Sequence, residues 1–336
     1  MAAASLVPAA ATLPQTLPTD RVREGGRLRA DLRAELRRIS NARNALTLAS
    51  LWTQIAVVIG AAIWLHHPLA WALAFVLMGR SFSQLLILGH EAAHLLLFSS
   101  RRINDFAGRW LLDYPGLVPF DLYRRGHMAH HKDEMGPDEP DLGLYAGYPI
   151  TRASLRRKLT RDALFISGWK NLRPLLRALR SRGGRPVALK ILACQALLFG
   201  VFLVLGRPEL YAFLWLGPWL TVWRVINRLR SIAEHGGMTR SADRRQTTHV
   251  VRQSRAARFA LVPYNTGWHL AHHVDIGVPF RNLPRLHGEL EAAGRITAEI
   301  TYSSYRSLWR ALASDRGDCR RRERARRRVG SRAVGG

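Results

Sequence analysis

Four long apolar runs dominate this sequence of 336 residues, at positions 45–65, 68–88, 187–205 and 210–226. Each run is close to the roughly 20 residues that a helix needs to cross the hydrocarbon core of a bilayer. Buried core helices of a soluble protein are the alternative, and Arg80, Lys190 and Pro218 inside the runs would suit it. Hydropathy favours membrane spans, because lipid forces a crossing segment to pair all of its backbone groups. The sequence therefore predicts an all-α, multi-pass membrane bundle of about four transmembrane helices.

The distribution of positive charge fits a membrane protein. A formal net charge of +27 would suggest nucleic-acid binding in a soluble protein. Here 8 Lys or Arg residues precede the first run, 17 lie within 98–186 and 22 follow position 226, whereas the short connectors contain only Arg207. The positive-inside rule then places both termini and the central loop in the cytoplasm. We expect no nucleic-acid partner, and we expect the basic segments to contact anionic lipid headgroups.

Composition divides the chain into three parts. Residues 1–20 are rich in Ala, lack the basic start of a secretory signal and are predicted to be disordered. Residues 21–312 contain the apolar runs and are predicted to form one membrane domain. Residues 313–336 form a basic tail that is also predicted to be disordered. Because Cys194 and Cys319 are the only cysteines, a metal site would use nitrogen or oxygen ligands.

Nine histidines stand out from the 13 in the chain. Eight of them form three tight clusters, one H-x-x-x-H and two H-x-x-H-H, and the ninth extends the fourth run by about two turns. These nine candidate metal ligands are His90, His94, His127, His130, His131, His235, His269, His272 and His273. All of them lie on the cytoplasmic side of the predicted topology, so they can converge on one site.

The spacing of the clusters has a chemical purpose. Residues four apart on a helix point the same way, and H-x-x-H-H adds a neighbour that is turned aside. Nine imidazoles would supply four or five nitrogens to each of two metals. An imidazole-rich ligand set suits iron, copper, nickel or zinc better than magnesium or calcium. The histidines therefore predict a two-metal site.

Three other interpretations use only part of the pattern. His90 to His94 matches the H-E-x-x-H motif of zinc metalloproteases, with Asp113 as a candidate third ligand, but leaves six clustered histidines unused. Soluble di-iron carboxylate bundles need a second Glu-x-x-His motif, which the chain lacks. A haem carrier or metal transporter would place its histidines within the spans, whereas these lie at or beyond the span ends.

The three histidine boxes around four apolar runs resemble those of the membrane fatty acid desaturase superfamily, which includes acyl-chain hydroxylases and carotenoid hydroxylases and ketolases. The resemblance extends over residues 68–290 and includes further segments in the family's order. These segments are Ala233-Glu234-His235-Gly236, Pro263-Tyr264-Asn265, Trp268-His269-Leu270-Ala271-His272-His273, Val278-Pro279 and Asn282-Leu283-Pro284-Arg285-Leu286-His287. One departure is Ser231, where some acyl-CoA desaturases of the superfamily have asparagine.

The resemblance implies a four-helix membrane scaffold under a cytoplasmic helical cap, with two iron ions bound by the histidines and O2 as co-substrate. It also implies a separate electron donor of ferredoxin or cytochrome type with its reductase, and the chain has too few cysteines for an iron–sulfur cluster of its own. The expected reaction introduces a double bond into a fatty acyl chain of a lipid. Hydroxylation or ketolation of an acyl or carotenoid-type lipid is the alternative, and an intramembrane zinc protease is a remote one.

Several polar side chains near the boxes are candidates for orienting the ligand imidazoles by accepting their second N–H. These residues are Glu91, Glu234, Asn265, Asp138 and Asp141. No further catalytic residue beyond the metal centre is predicted, because breaking an unactivated C–H bond is chemistry that a metal must supply.

Overall fold

The computed structural model describes residues 6–314, most of which are helical. In chain order the α-helices of this range are α1 (Ala30–Leu36), α2 (Asn41–Leu65), α3 (Pro68–Ala93), α4 (Arg101–Phe106), α5 (Phe120–Lys132), α6 (Leu142–Tyr145), α7 (Arg152–Ala163), α8 (Ile166–Ala178), α9 (Arg185–Val204), α10 (Gly217–Leu220), α11 (Val222–His235), α12 (Arg255–Ala260), α13 (His269–Val274), α14 (Leu283–Ala292) and α15 (Tyr305–Leu312). The shorter elements are π-helical segments at Ala107–Asp113 and Tyr211–Leu216, 3-10 turns at Ala10–Thr12, Glu24–Gly26, Arg244–Gln246 and Ala298–Ile300, and the parallel strands β1 (Val250–Val251) and β2 (Thr301–Tyr302).

Helices α2 and α3 form an antiparallel hairpin. Helix α2 ends at Leu65, and the next residue, His66, turns the chain with a φ of 46°. Helix α3 begins at Pro68. Proline lacks a backbone N–H, but this costs no hydrogen bond here, because the first N–H groups of a helix have no acceptor within it. The indole of Trp71 donates to the carbonyl of Ala62 over 2.8 Å, which joins the two helices at the turn.

Within residues 6–314, three helical segments are long and apolar enough to cross a membrane: Ala30–Leu65, which includes α1 and α2, Pro68–Ala93 and Arg185–Val204. They contain the predicted spans at 45–65 and 68–88 and nearly all of the one at 187–205. Helix α3 is the most enclosed of the three, with 61% of its apolar window buried inside the protein. It therefore forms the centre of the bundle.

The fourth apolar run, predicted as a span at 210–226, is not one continuous helix. It consists of the π-helical segment Tyr211–Leu216, the single turn of α10 and the start of α11, with a break at Thr221 (φ −127°, ψ −84°). Pro218 has no N–H to donate, and the hydroxyl of Thr221 donates to the carbonyl of Gly217 over 2.7 Å. Both features favour a broken helix.

The broken segment nevertheless runs beside α3 in the same direction. A side chain on Gly217 would lie 2.7 Å from the ring of Phe75, and one on Gly79 would lie 2.3 Å from Val222. Contacts therefore advance along both elements in the same direction, from Gly217 and Phe75 to Val222 and Gly79. Because α3 ends at the first histidine cluster, this parallel course carries the end of α11 to the same place.

Helices α5 and α13 lie at that end of the bundle, since their histidines converge with those at the ends of α3 and α11. We call these two helices and the segments packed around them the cap, and residues 6–20 pack against it. Arg245 donates to the carbonyl of Pro14 over 2.7 Å, and Arg295 donates to the hydroxyl of Thr16 over 3.3 Å. Over 6–20 the structure therefore differs from the predicted disorder, because buried arginines of the cap bind this segment. The predicted disordered tail at 313–336 lies outside the described residues from position 315 onward.

Candidate metal centre

The nine candidate histidines meet where α3, α5, α11 and α13 come together. His90 and His94 are at the end of α3, and His235 is the last residue of α11. The second cluster lies on the last turns of α5, and the third spans α13. Helical spacing turns the members of each cluster inward, and the parallel course of α3 and α11 brings the ends of the long helices together.

Five of the histidines form one group, in which a ligand atom from each lies within 4.8 Å of every other: His90, His94, His127, His131 and His272. Three more form a second group by the same measure: His130, His235 and His273. His269 adjoins the second group, since its Nε2 lies 2.9 Å from Nε2 of His235. The two groups abut, because His131 and His273 also converge with Glu134.

Hydrogen bonds alone cannot account for the short distances between ring nitrogens in the first group. The Nε2 atom of His127 lies 3.0 Å from the Nε2 atoms of both His94 and His131. A ring nitrogen carries either one N–H or one lone pair, so it cannot donate to one neighbour while accepting from the other. A cation shared by the three lone pairs removes the conflict.

The second group has the same feature around His269, whose Nε2 lies 2.9 Å from Nε2 of His235 and 3.0 Å from Nε2 of His273. Ligands at right angles around an ion, with metal–nitrogen bonds of about 2.1 Å, are about 3.0 Å apart, whereas tetrahedral ligands are about 3.4 Å apart. The nitrogen spacing of both groups therefore fits ligands at right angles around an ion better than a tetrahedral zinc site.

Burial keeps most of these imidazoles ready to bind a metal. It lowers the pKa of His127, His235, His269 and His273, because an imidazolium would lose its hydration in this interior. A neutral ring presents a lone pair. His130 differs: burial alone would lower its pKa, but the adjacent carboxylate of Glu139 outweighs burial and raises it.

Three outer contacts fix the rings so that Nε2 points inward. His130 donates through Nδ1 to Glu139, and His273 donates through Nδ1 to Glu134. His235 donates through Nδ1 to the carbonyl of Thr247 over 2.8 Å. A proton held at Nδ1 leaves the lone pair on Nε2, which is the atom at the centre.

The sequence did not single out Glu134 and Glu139, although a signal was present. Both follow the second cluster directly, in the acidic stretch from Asp133 to Asp141. Asp138, which we predicted for this role, is exposed, while Glu139 beside it is buried against His130. Neighbouring residues of a loop point in different directions, so composition alone selected the wrong acid.

The other predicted partners take less direct positions. Glu91 lies 3.7 Å from Nδ1 of His90 and accepts the N–H of Phe280 over 3.1 Å. Glu234 lies 3.7 Å from Nδ1 of His269 and pairs with an arginine of its own helix. Both distances exceed hydrogen-bonding range.

Asn265 and Asp141 do not bind an imidazole either. The side chain of Asn265 donates to the carbonyl of Phe280 over 3.1 Å and so holds the loop that precedes α14. Asp141 lines a cavity beside the centre, and burial there raises its pKa.

Comparison with known proteins agrees with this geometry. A family model described as fatty acid desaturase matches residues 62–306, which is more than half of the chain. The chain belongs to this family. The family is one of membrane-associated oxidoreductases, in accordance with the three apolar helices and the histidine cluster.

Individual relatives of the desaturase family are distant. The chain is 24% identical over 276 residues to an sn-1 acyl-lipid omega-3 desaturase (ferredoxin) of Nostoc sp. (strain 36). The aligned region covers 74% of this chain and 73% of the Nostoc protein. It is 21% identical over 341 residues to an sn-1 oleoyl-lipid 12-desaturase of Synechocystis sp., covering 92% and 94%. An oleate hydroxylase of Claviceps purpurea is 33% identical over 91 residues, covering 27% of this chain and 18% of that one.

The position of Asp113 does not support the zinc-protease alternative. Asp113, its candidate third ligand, ends the π-helical segment after α4 and is 1% exposed. It belongs to none of the converging ligand groups found among residues 6–314. Instead its carboxyl group fills the notch left by Gly89, where a side chain would lie 1.9 Å from Oδ1 of Asp113.

A cavity of about 290 Å³ opens beside the histidines of this desaturase-family chain. His90, His130 and His235 form the wall nearest the centre. Leu86 and Trp219 belong to the apolar part of the wall. Polar side chains, Asn171, Arg224 and Asn227, also line it. The cavity thus offers an apolar lining, a polar region and access to both histidine groups.

Proposed function

We propose that this protein is an oxygen-dependent di-iron oxidoreductase that introduces a double bond into a fatty acyl chain of a membrane lipid. The observation that carries the proposal is the pair of abutting imidazole groups beside a partly apolar cavity. An acyl chain has no acidic hydrogen for a side chain to remove, so the site must use a metal. The family match supplies the reaction class.

Two irons would be held by separate histidine sets. The first set is His90, His94, His127, His131 and His272, and the second is His130, His235, His269 and His273. When bound, the irons would supply the activation of O2 and the removal of two hydrogens from adjacent methylenes. The protein's own part is to hold the lone pairs inward through Glu134, Glu139 and the carbonyl of Thr247.

The cavity would orient the acyl chain. Its apolar wall at Leu86 and Trp219 suits methylenes, and Arg224 and Asn227 suit the oxygens of a carboxylate or ester. Arg224 and His235 are 11 residues apart on α11, which is about 16 Å along the helix. A substrate would thus place its polar end near Arg224 and an inner methylene near the histidines.

The reaction needs a partner that supplies electrons. Removing two hydrogens from the chain while reducing one O2 to two waters consumes two electrons and two protons from outside. We propose a ferredoxin-type donor, because the Nostoc relative carries ferredoxin in its name and the net charge of +27 would attract an acidic protein.

We further propose four membrane crossings, with the centre on the cytoplasmic side. Helix α9 leads away from the cap, and His235 is back at the centre. The broken segment from Tyr211 to α11 therefore makes the return crossing beside α3. Irregular backbone at membrane depth is tolerated where protein encloses it, and Trp215 and Trp219 of this segment are buried.

Hydroxylation is a second candidate, supported by the similarity to the Claviceps oleate hydroxylase. Lipid analysis of a host that expresses the wild-type chain, beside one that expresses His130→Ala, tests both reactions. A new double bond in the wild-type sample alone supports the desaturase, and a new hydroxyl group supports the hydroxylase. Identical lipid profiles would contradict both.

Metal analysis of the purified chain tests the centre separately. We expect about two irons per wild-type chain, since nine imidazoles suffice for two ions of four or five ligands each. A single zinc ion per chain would contradict the di-iron assignment whatever the lipid profile.

A further inference from the structure

A second polar recess lies on the outside of the bundle, away from the histidines. It is formed by α2, α3 and the loop before α14, and we call it the α2–α3 groove. Its principal polar residues are Arg43, Thr47, Gln54, Arg80, Gln84 and Arg281, and its volume is about 420 Å³. None of the nine histidines lines it. The groove is therefore distinct from the cavity beside the centre.

Three cations face this groove without a counter-charge. Arg43, Arg80 and Arg281 each lack a carboxylate within 4 Å among residues 6–314, and no Asp or Glu of that range lines the groove. Burial, and then the charge of Arg43, lower the pKa of Arg281. Such a cluster of like charges is unfavourable unless an anion joins it.

Neutral acceptors hold two of the guanidinium groups in place. Arg281 donates to the hydroxyl of Thr47 over 2.5 Å and to Oδ1 of Asn44 over 2.8 Å. These bonds fix its direction but leave its charge uncompensated. The arrangement resembles a prepared anion site more than a flexible basic surface.

Arg80 is held in the same way at the other end of the groove. It donates to Oε1 of Gln84 over 2.7 Å, to Oε1 of Gln54 over 3.3 Å and to the carbonyl of Phe259 over 2.7 Å. An arginine within a candidate span is costly in lipid and marks a functional site unless it is paired. Here it faces the groove with neutral partners only.

The position of the groove indicates what fills it. Thr47 lies 18 residues before the end of α2 at Leu65, or about 27 Å along the helix, close to the thickness of the hydrocarbon core. Thr47 and Arg281 are thus at headgroup level. From Thr47 to Gln54 the groove descends about 10 Å further into the bilayer. The groove therefore covers the depth of a lipid phosphate at its upper end and of the glycerol ester oxygens below it.

We propose that the α2–α3 groove binds the headgroup of an anionic glycerophospholipid, with its phosphate at Arg43 and Arg281 and its ester carbonyls near Arg80 and Gln54. The lipid phosphate supplies a counter-charge that Arg43 and Arg281 share, the ester carbonyls accept hydrogen bonds from Arg80, and the bound lipid joins α2 to the cap. The site stands whether or not the histidine centre oxidises lipids.

Native mass spectrometry of the iron-loaded protein in neutral detergent tests the site. We expect the wild type to retain phosphatidylglycerol more tightly than phosphatidylcholine. The double substitution Arg43→Gln with Arg80→Gln should weaken retention of phosphatidylglycerol about tenfold to thirtyfold, since each cation near a lipid surface contributes about 1 kcal/mol. Arg281 is kept because it also joins α2 to the cap.

The matched control is Arg156→Gln with Arg157→Gln, which removes the same charge from the exposed face of α7. It should leave retention unchanged, and equal losses in both double variants would reduce the effect to general attraction and overturn the site. Equal retention of the two lipids by wild type, or full displacement by millimolar inorganic phosphate, would also overturn it. If the Arg80 variant does not fold, Arg43→Gln alone serves, because its side chain has no hydrogen bond within residues 6–314.

Discussion

At the scale of single residues, Asp138 and Glu139 are neighbours with different surroundings. Glu139 is 6% exposed and accepts hydrogen bonds from Nδ1 of His130 and from the backbone N–H of Met135. Asp138 is exposed to solvent. An outer carboxylate fixes the tautomer of a ligand imidazole and raises its basicity. Of these two neighbours, Glu139 alone contacts a ligand imidazole in this way.

We therefore expect Glu139→Ala to weaken iron binding about 10-fold to 100-fold, the usual cost of losing such a partner. Iron content would be measured by elemental analysis after equilibration with increasing chelator concentrations. Asp138→Ala is the matched control and should retain iron like the wild type. Equal retention by the two variants would contradict the role of Glu139.

At the scale of elements, the contact between α3 and α11 decides where His235 lies. Gly79 of α3 faces Val222 of α11, and a methyl group there would lie 2.3 Å from Cγ1 of Val222. A β-branched side chain cannot swing away freely. Gly60 of α2, in contrast, has no atom within 4 Å of the position of an added methyl group.

Gly79→Ala should therefore destabilise the protein by about 1–3 kcal/mol, the usual cost of overpacking, and should lower its iron content by displacing α11. Gly60→Ala should be neutral or stabilise its helix by up to about 1 kcal/mol. Thermal melting and iron analysis in detergent measure both effects. Identical melting curves for the two variants would mean that α3 and α11 do not pack at Gly79.

At the scale of the whole molecule, the topology that we propose has the chain return after α9 to the side of the membrane where the histidine centre lies. In the part of the chain that the structure describes, three segments have the length and composition of spans. In the proposed topology the return is made by a segment that Pro218 and Thr221 break into shorter pieces. The proposed topology of four crossings rests on this segment.

Labelling with a membrane-impermeant maleimide tests the topology. In a Cys319→Ser background, Ser181→Cys and Ser303→Cys should react only from the cytoplasmic side, and Arg207→Cys only from the outside. The native Cys194 is buried and should stay unlabelled. Labelling of positions 207 and 303 from the same side would show that the segment between them does not cross.

Much of the candidate site could be predicted from local spacing. The clusters from His90 to His94, from His127 to His131 and from His269 to His273 identify candidate ligands because helical periodicity turns residues three or four apart to one face. The length of the apolar runs predicted four membrane-spanning helices, and three of them correspond to candidate spans among residues 6–314. This information lies within a few turns of chain, where sequence and geometry are directly linked.

The sequence by itself thus determined a helical membrane protein with a histidine-rich centre, because apolar length and imidazole spacing are local properties. The tertiary structure decided the rest: that Glu134 and Glu139 hold the rings, that the fourth apolar run breaks at Thr221, and that Arg80 and Arg281 share one groove. Each of these depends on which distant residues pack together. Arg80 and Arg281 are 201 positions apart in the chain, and only the packing of α2, α3 and the loop before α14 brings their charges to one place.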